Sequence, residues 1–265
     1  MKTILKKEMS AKTFNEKLIK SGKTTKRIKE IKPNLRCDKC KQSYDLTIFE
    51  DNTKLKICDC DKRLYISPNQ MKKIAYFKSI SSIPLVLKKA TFDNFYYEND
   101  KQLKNMYQGA KYYILNSNKE NQKTLVLRGT IGSGKTHIAI ACMKEFQKKN
   151  LTTYFISFTD LIQRLKESFE DSKRQSQIMQ DVFNCDVLIL DDIGVGKLTE
   201  YELKQLFNIV DKRQGKFNIY TTNMSDDELT SSKEWKRITS RLFNRKFSDI
   251  LKVTTADYRM KKTRI

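Results

Sequence analysis

A glycine-rich octapeptide in the middle of the chain carries the residue types that bind phosphate. Residues 129–136 read GTIGSGKT, which fits the pattern G-x-x-x-x-G-K-[ST]. In such a turn, backbone N–H groups at the positive end of a helix surround phosphate oxygens, where any Cβ would obstruct them. Lys135 would neutralise the β- and γ-phosphate oxygens, and the Thr136 hydroxyl would bind Mg²⁺. The predicted nucleotide contacts are Gly129, Thr130, Ile131, Gly132, Ser133, Gly134, Lys135 and Thr136.

A second candidate lies 55 residues after Thr136, where the apolar segment DVLILDD (residues 186–192) ends in two carboxylates. A magnesium-phosphate site requires such groups on the strand beside the phosphate loop. Asp191 would hold the Mg²⁺ shell through water, and Asp192 would orient or deprotonate the attacking water. The alternative is an Asp-rich turn at the end of an ordinary strand.

Polar and basic residues near the C-terminus complete the candidate set. The segment KFNIYTTN ends in Asn223, whose amide can hold the lytic water against the γ-phosphate. Arg237 and Arg241 lie four residues apart, which places both on one helical face, and Arg259 follows Tyr258. Guanidinium groups inserted from a neighbouring subunit stabilise a transferring phosphoryl group. A strand-end turn and a solvated basic face are the plain alternatives.

The elements that must position these groups alternate along the chain. The segments KTLVLRG, TTYFIS, DVLILDD and KFNIYTTN are short, apolar and β-branched, and helical stretches separate them. This alternation predicts an α/β fold with a parallel sheet flanked by helices. His137, the single histidine of the chain, opens the helix after the phosphate loop and is expected to pack on it and not to titrate in catalysis.

The formal charge of +22 is concentrated in the first third of the chain, because residues 1–90 hold 23 Lys+Arg and 9 Asp+Glu. This excess favours nucleic acid or an acidic protein surface as a partner, although coding bias and solubility also produce Lys-rich chains. No apolar run reaches the roughly 18 residues that a membrane span needs, and the N-terminus lacks the apolar block of a signal peptide. We therefore expect a cytoplasmic protein.

Four cysteines form two close pairs in this basic region. Cys37 and Cys40 precede, and Cys58 and Cys60 follow, seventeen residues that read as a hairpin around Asp51-Asn52. Such pairs in a cytosolic protein indicate a metal site more often than disulfides. We expect a structural Zn²⁺ with four thiolates, although the one-residue gap between Cys58 and Cys60 departs from the usual spacing. A three-thiolate site completed elsewhere and a metal-free module are the alternatives.

The predicted organisation has four parts. Residues 1–36 form a basic helical or flexible arm, residues 37–63 a zinc-binding hairpin module, residues 64–90 a helical linker and residues 91–265 the nucleotide-binding domain. Cys142 and Cys185 fall in apolar segments and are expected to be buried small residues.

The quoted motifs together resemble a known family. ATFDNF (90–95), GTIGSGKTH (129–137), DVLILDDIG (186–194), IYTTN (219–223), RITSRL (237–242) and DYR (257–259) are similar to the AAA+ ATPase core of the bacterial replicative-helicase loaders of the DnaC/DnaI type. The IstB transposition helpers are close relatives of that group. The resemblance covers about residues 83–260 and implies ATP and Mg²⁺ as ligands.

The resemblance also implies residue roles. Lys135 and Thr136 match the Walker A pair, and Asp191 and Asp192 match the Walker B pair. His137 extends the nucleotide-binding stretch. The remaining matches are Asn223 with sensor 1, Arg241 with the arginine finger and Arg259 with a sensor-2-like arginine. Glutamate is commoner at the position of Asp192, so hydrolysis is expected to be slow and stimulated by the partner or DNA. Because few residues follow Arg259 in this sequence, we expect an AAA+ domain without a full lid.

The implied function is ATP-controlled delivery of a hexameric replicative helicase to single-stranded DNA, with self-association through the ATPase domain. In DnaI-like loaders a zinc-binding N-terminal region binds the helicase, and the IstB-like helpers generally lack such a module. Two alternatives remain. One is an IstB-like transposition helper that binds DNA and a transposase, and the other is a nucleic-acid-binding zinc protein whose phosphate loop acts only as a nucleotide-sensing switch.

Overall fold

The computed structural model describes residues 28–36, 43–52, 54–57, 68–97, 100–118 and 120–260. The chain divides into two compact units, Met1–Tyr65 and Ile66–Ile265. Among the helices of these described ranges, none has both the length and the apolar character needed to cross a membrane.

The first unit contains a three-stranded antiparallel sheet in the order β1-β2-β3. Its strands are β1 (Ile28–Arg36), β2 (Ser43–Phe49) and β3 (Lys54–Ile57). Strands β2 and β3 form the predicted hairpin, and Asn52 adopts a left-handed φ of 60° in the turn between them. Asparagine tolerates this conformation better than most residues, which explains why the sequence signal for the turn was reliable.

Strand β1 corrects the prediction for the end of the N-terminal arm. Residues 1–36 read as a helical or flexible arm, but Ile28–Arg36 is a strand that pairs with β2. Its pairing register shifts between Lys32 and Leu35, around Pro33. Proline cannot donate a ladder hydrogen bond and is therefore confined to edge strands and bulges, and β1 is an edge strand. The four paired cysteines lie outside the described residues.

The second unit is built on a five-stranded parallel sheet in the order β5-β6-β7-β4-β8. The strands are β4 (Thr124–Gly129), β5 (Thr153–Ser157), β6 (Val187–Ile193), β7 (Phe217–Thr222) and β8 (Ser248–Val253). The first four coincide with the apolar segments of the sequence analysis, which confirms that these segments are strands of a parallel sheet. Strand β8 was missed because it is an edge strand in which only the terminal residues Ser248 and Val253 are buried, whereas the four residues between them are partly or largely exposed.

Helices cover both faces of this sheet. The described residues form α1 (Pro68–Ile80), α2 (Lys101–Asn116), α3 (Lys135–Lys148), α4 (Phe158–Glu167), α5 (Ser172–Asn184), α6 (Glu200–Lys212), α7 (Asp226–Leu229) and α8 (Lys233–Leu242). Helices α2 and α3 pack on one face with Val187 and Ile189, whereas α1 and α4–α8 pack on the other with Leu188 and Leu190. Successive strand residues therefore serve opposite cores, which is why these strands read as continuous apolar runs.

The segment predicted as a linker belongs to the second unit. Helix α1 begins at Pro68, a favoured first helical position, and buries Phe77 against Tyr154 of β5 with ring centroids 6.1 Å apart. The Ser82 N–H then donates to the carbonyl of Phe155 at 2.9 Å, and Arg164 donates to the Ser82 hydroxyl at 2.6 Å. These contacts fix residues 68–82 to the sheet, so the linker assignment was wrong for this stretch.

Candidate nucleotide site

The phosphate loop joins β4 to α3 and depends on glycine for its path. Gly129, Gly132 and Gly134 have φ values of 137°, 68° and 80°, which side-chain-bearing residues rarely adopt. A Cβ on Gly134 would also lie 2.6 Å from Cε2 of Phe95, and one on Gly132 would collide with the carboxylate of Asp257. The loop is therefore the open backbone cradle that the sequence predicted.

Lys135 lies within this cradle and is only 5% exposed. Its ammonium group donates to the carbonyl oxygens of Gly129 and Thr130 at 2.9 and 2.6 Å, and its Nζ lies 3.3 Å from the Ser133 hydroxyl. The positive charge is thus held directly at the loop, where a phosphate would need it.

A segment after β8 supports the phosphate loop from outside. The Thr130 N–H donates to the Val253 carbonyl at 3.1 Å, and the Thr130 hydroxyl donates to the Thr255 carbonyl at 2.6 Å. The Thr255 N–H returns a bond to the same hydroxyl at 3.0 Å, and the Tyr258 N–H donates to Gly132 at 3.1 Å. The C-terminal segment therefore restrains the backbone that would bind phosphate.

The two carboxylates come from a bulge near the end of β6. Strand β6 pairs regularly with β7 up to Leu190–Tyr220 and resumes at Ile193–Thr222, so Asp191 and Asp192 together face a single β7 residue. Asp192 has a positive φ of 53°, a strained conformation of the kind that clusters at functional sites. The acidic strand does not pair with the strand that leads into the phosphate loop, because β7 lies between β6 and β4.

Asp191 is buried, and this burial raises the pKa of its carboxyl group to about 6. Hydrogen bonding from the Thr221 hydroxyl, at 2.6 Å, opposes the shift, whereas the neighbouring charge of Asp192 adds to it. A hydrogen bond from Thr136 and the charge of Lys135 also lower this pKa. The phosphate loop thus acts on the Asp191 carboxyl through the Thr136 hydroxyl and the charge of Lys135, as a shared Mg²⁺-phosphate site requires.

A cavity of about 290 Å³ opens beside the loop. It is lined by Leu87, Asn94, Phe95, Tyr96, Leu103, Ile131, Gly132, Ser133, Gly134, Lys135, Thr136, His137, Asp192, Asn223 and Tyr258. Asn223 Oδ1 is shielded from solvent and has no hydrogen-bond partner among the described residues. The glycine cradle, this unsatisfied oxygen and the nearby carboxylates fit a nucleotide with a hydrated Mg²⁺ ion. The aromatic and aliphatic members provide an apolar wall suited to a base.

His137 has a structural environment at the edge of this cavity. Its Nε2 lies 2.9 Å from the Thr91 carbonyl, and its ring makes an edge contact with Phe95. Burial lowers the pKa of the imidazole, and the hydrogen bond with the Thr91 carbonyl opposes this shift. His137 therefore packs against the segment that contains Thr91 and Phe95, and not along its own helix as expected.

Two of the predicted arginines, Arg237 and Arg241, are not brought to the cavity. Arg241 forms an ion pair with Asp211 at 2.9 Å and lies over the Phe207 ring. The guanidinium carbon of Arg237 lies over the same ring, 4.7 Å from its centroid. Neither arginine lines the cavity. The backbone of Arg259 lies in the short helical turn Tyr258–Met260, and its side chain is outside the described part of the chain.

Two features of the site were missed in the sequence. Thr221 contacts both Walker B residues, and its only signal was its place at the end of a strand before Asn223. The apolar wall is assembled from Leu87, Phe95, Tyr96 and Tyr258, which are distant from the loop in sequence. Phe95 and Tyr258 fall within the quoted motifs ATFDNF and DYR, but the motifs assign no role to either side chain, because the members of the wall meet only through the tertiary fold.

Comparisons with known proteins agree with this site. The family model described as IstB-like ATP binding protein matches residues 67–265. The replicative helicase loader DnaC of Escherichia coli (strain K12) is 28% identical over 143 residues, which are 53% of this chain and 58% of that protein. An ATP-binding protein of insertion sequence IS232 from Bacillus thuringiensis subsp. berliner is 29% identical over 147 residues, 54% of this chain and 58% of that protein.

The comparison with solved structures agrees with these sequence comparisons. A crystal structure of the DnaC helicase loader superposes with a TM-score of 0.57 at 27% identity, and the match covers 64% of this chain and 99% of that chain. The matched part of this chain spans little more than half the length of the two sequence relatives.

The left-handed glycines yield a first prediction. Gly132→Ala should weaken binding of a fluorescent ATP analogue on the order of tenfold or more, because the new methyl group distorts the loop against Asp257. Gly215→Ala is the matched control. Its φ of 74° imposes a similar strain of about 1 kcal/mol, but a Cβ there meets no atom within 4 Å. Equal affinity losses in the two variants would contradict the role assigned to the loop.

Proposed function

Because the chain belongs to the family of IstB-like ATP-binding proteins, we propose that it is a cytoplasmic ATPase that loads a hexameric replicative helicase onto single-stranded DNA. Family and fold identify residues 67–265 as a P-loop ATPase domain of the AAA+ type. The likeness to the DnaC helicase loader over nearly the whole of that solved chain carries the proposal. The finer assignments follow from the site.

The proposed chemistry uses the described side chains in separate roles. The N–H groups of residues 129–136 and the Lys135 ammonium bind the phosphates. Thr136 and Asp191 would hold Mg²⁺, which would neutralise charge on the phosphate oxygens. Asp192 would orient or deprotonate the attacking water, and the unpaired Oδ1 of Asn223 would accept a hydrogen bond from that water.

Arg241 would act on a neighbouring subunit. It does not line the cavity of its own chain, yet its side chain is 38% exposed and is ordered by Asp211 and Phe207. An arginine that is ordered and accessible can enter a site formed at a subunit boundary. Self-association would therefore complete the ATPase, whereas Arg259 would contribute from the same chain as the phosphate loop.

Mixing two inactive variants tests this arrangement. Lys135→Ala should abolish ATP binding without unfolding the chain, and Arg241→Ala should retain binding but lose hydrolysis on the order of 10³-fold. An equimolar mixture should recover part of the ATPase rate, because some interfaces then combine an intact Lys135 with an intact Arg241. Arg237→Ala, on the same helix and over the same ring, should retain most of the rate.

Failure of the mixture to regain activity, while both variants still self-associate, would contradict a finger supplied by the neighbour. Retained hydrolysis in Arg241→Ala alone would do the same. Normal hydrolysis in Lys135→Ala would instead contradict the phosphate-loop mechanism.

The N-terminal sheet supports the proposal of a zinc site. Arg36 pairs with Ser43, and Ile57 pairs with Asp45, so β1 and β3 end on either side of the first residues of β2. Cys37 and Cys58 follow these two strand ends directly in the sequence. Because Cys37 and Cys58 follow strand ends that flank the same part of β2, we propose that Cys37, Cys40, Cys58 and Cys60 bind one structural Zn²⁺.

Elemental analysis of the full chain tests the zinc assignment. We expect about one zinc ion per chain, and Cys58→Ser with Cys60→Ser should remove it and destabilise the N-terminal sheet. Cys142→Ala is the control, because Cys142 is a fully buried thiol of α3 outside both pairs. A wild-type protein that holds no metal, and whose N-terminal sheet is stably folded, would refute the assignment.

The transposition-helper alternative also has an observation in its favour. The family model is named after IstB-like proteins, and one sequence relative comes from an insertion sequence. The loader and the helper share an ATPase core and DNA contact, so the site residues do not separate them. Their partners do, since a helper would form ATP-dependent filaments on double-stranded DNA and bind a transposase. A nucleotide-sensing switch would bind ATP without hydrolysing it in the presence of DNA and partner.

A partner assay distinguishes these functions. The full chain should co-purify with the replicative hexameric helicase of its host, and residues 66–265 alone should lose this association while still binding ATP. The truncation is placed before α1 because Phe77 belongs to the core of the second unit. If the full chain retains no hexameric helicase but captures a transposase on double-stranded DNA, the loader proposal is wrong and the helper reading replaces it.

A further inference from the structure

Thr221 occupies an unusual position in the sheet. It is the single β7 residue opposite the two-residue bulge that contains Asp191 and Asp192. Its side chain is completely buried. Strand β7 itself lies between β6 and β4, so Thr221 sits between the acidic strand and the strand that leads into the phosphate loop.

The Thr221 hydroxyl uses both of its hydrogen-bonding functions on the acidic pair. It donates to Asp191 Oδ1 at 2.6 Å and accepts from the Asp192 N–H at 2.9 Å. The first bond orients the buried carboxylate. The second holds the backbone of Asp192 in its left-handed conformation. A single hydroxyl therefore fixes the side chain of one acidic residue and the main chain of the next.

We propose that Thr221 is a positioning residue that sets the Asp191 carboxylate for Mg²⁺ and the Asp192 side chain for the attacking water. The inference rests on the proposed Mg²⁺-ATP site and extends it to a residue that does not line the nucleotide cavity. Groups that hydrogen-bond to metal-binding side chains commonly affect metal affinity by about 10- to 100-fold. Thr221 is such a group, because its hydroxyl donates to the carboxylate of Asp191.

The adjacent residue supplies a matched comparison. Thr222 is also a buried β7 threonine, and its hydroxyl donates to the Ile193 carbonyl at 2.7 Å and accepts from the Met224 N–H at 3.1 Å. It therefore joins β6 to β7 as Thr221 does, but through main-chain groups outside the acidic pair. If Thr221 served only to join the strands, loss of the hydroxyl at Thr221 and loss of the hydroxyl at Thr222 would have the same effect on the Mg²⁺ requirement of nucleotide binding.

The test measures Mg²⁺-dependent binding of a fluorescent ATP analogue in the full-length wild type, Thr221→Val, Thr221→Ser and Thr222→Val. In Thr221→Val, we expect binding without Mg²⁺ to match wild type and the Mg²⁺ concentration needed for tight binding to rise about tenfold or more. Thr221→Ser keeps the hydroxyl and should stay within about threefold of wild type. Thr222→Val should unfold at a lower temperature but keep the wild-type Mg²⁺ requirement.

Hydrolysis provides the second readout. Thr221→Val should lower kcat with little change in KM at saturating Mg²⁺, because the nucleotide-binding loop is intact while Asp192 is displaced. Should Thr221→Val not fold, Thr221→Ala against Thr221→Ser makes the same comparison.

The outcomes separate this inference from the proposed function. If the hydroxyl-free Thr221 variant and Thr222→Val need the same Mg²⁺ concentration for tight binding, the positioning role alone is overturned. The same holds if the Mg²⁺ requirement rises as much in Thr221→Ser as in Thr221→Val. Wild-type binding that does not respond to Mg²⁺ would overturn the proposed Mg²⁺ site, and a wild type that binds no nucleotide at all would overturn the nucleotide site; either result would overturn this inference as well.

Discussion

The order of the parallel strands is the constraint on which the site depends. Strands β4 and β6 end at the same edge of the sheet, but β7 separates them, so the phosphate loop and the acidic pair are about 10 Å apart at the backbone. Side chains must therefore span the gap. Lys135 and Thr136 reach from one side and Asp191 from the other, and the end of β7 fills the space between them. Residues at that strand end consequently become part of the site.

Burial strengthens the electrostatic interactions of Asp191 and Lys135, but it also disfavours the charged form of a buried carboxyl group. Asp191 and Lys135 are each 5% exposed, in surroundings where charges interact more strongly than in water. The same burial disfavours ionisation of Asp191, as its raised pKa shows. Hydrogen bonds from Thr221 and Thr136 offset part of that effect. The bulge in β6 and the C-terminal segment against Thr130 then fix the backbone, so the polar groups are placed by the fold before any ligand binds.

Much of this arrangement could be predicted from the sequence, and the remainder depends on tertiary contacts. The phosphate loop, the acidic pair and four strands have strong local patterns, because glycines, carboxylates and apolar runs are dictated by nearby chemistry. The insertion of β7 between β4 and β6 has no local signal. Strand β8 and helix α1 were missed or misassigned because their polar faces are exposed and only a few residues, such as Phe77, are buried. In β1, lysines and Pro33 obscured an edge strand.

The acidic strand is also connected to the arginines that lie away from the cavity. The chain leaves Asp192, turns through left-handed Gly194 and Gly196, and enters α6, which carries Phe207 and Asp211 one helical turn apart. Arg237 and Arg241 of α8 have the same spacing and pack on this pair. A matched i, i+4 pair on each helix restrains both guanidinium groups. The element after the acidic pair thus holds Arg241, so the position of this guanidinium group depends on the path that the chain takes after β6.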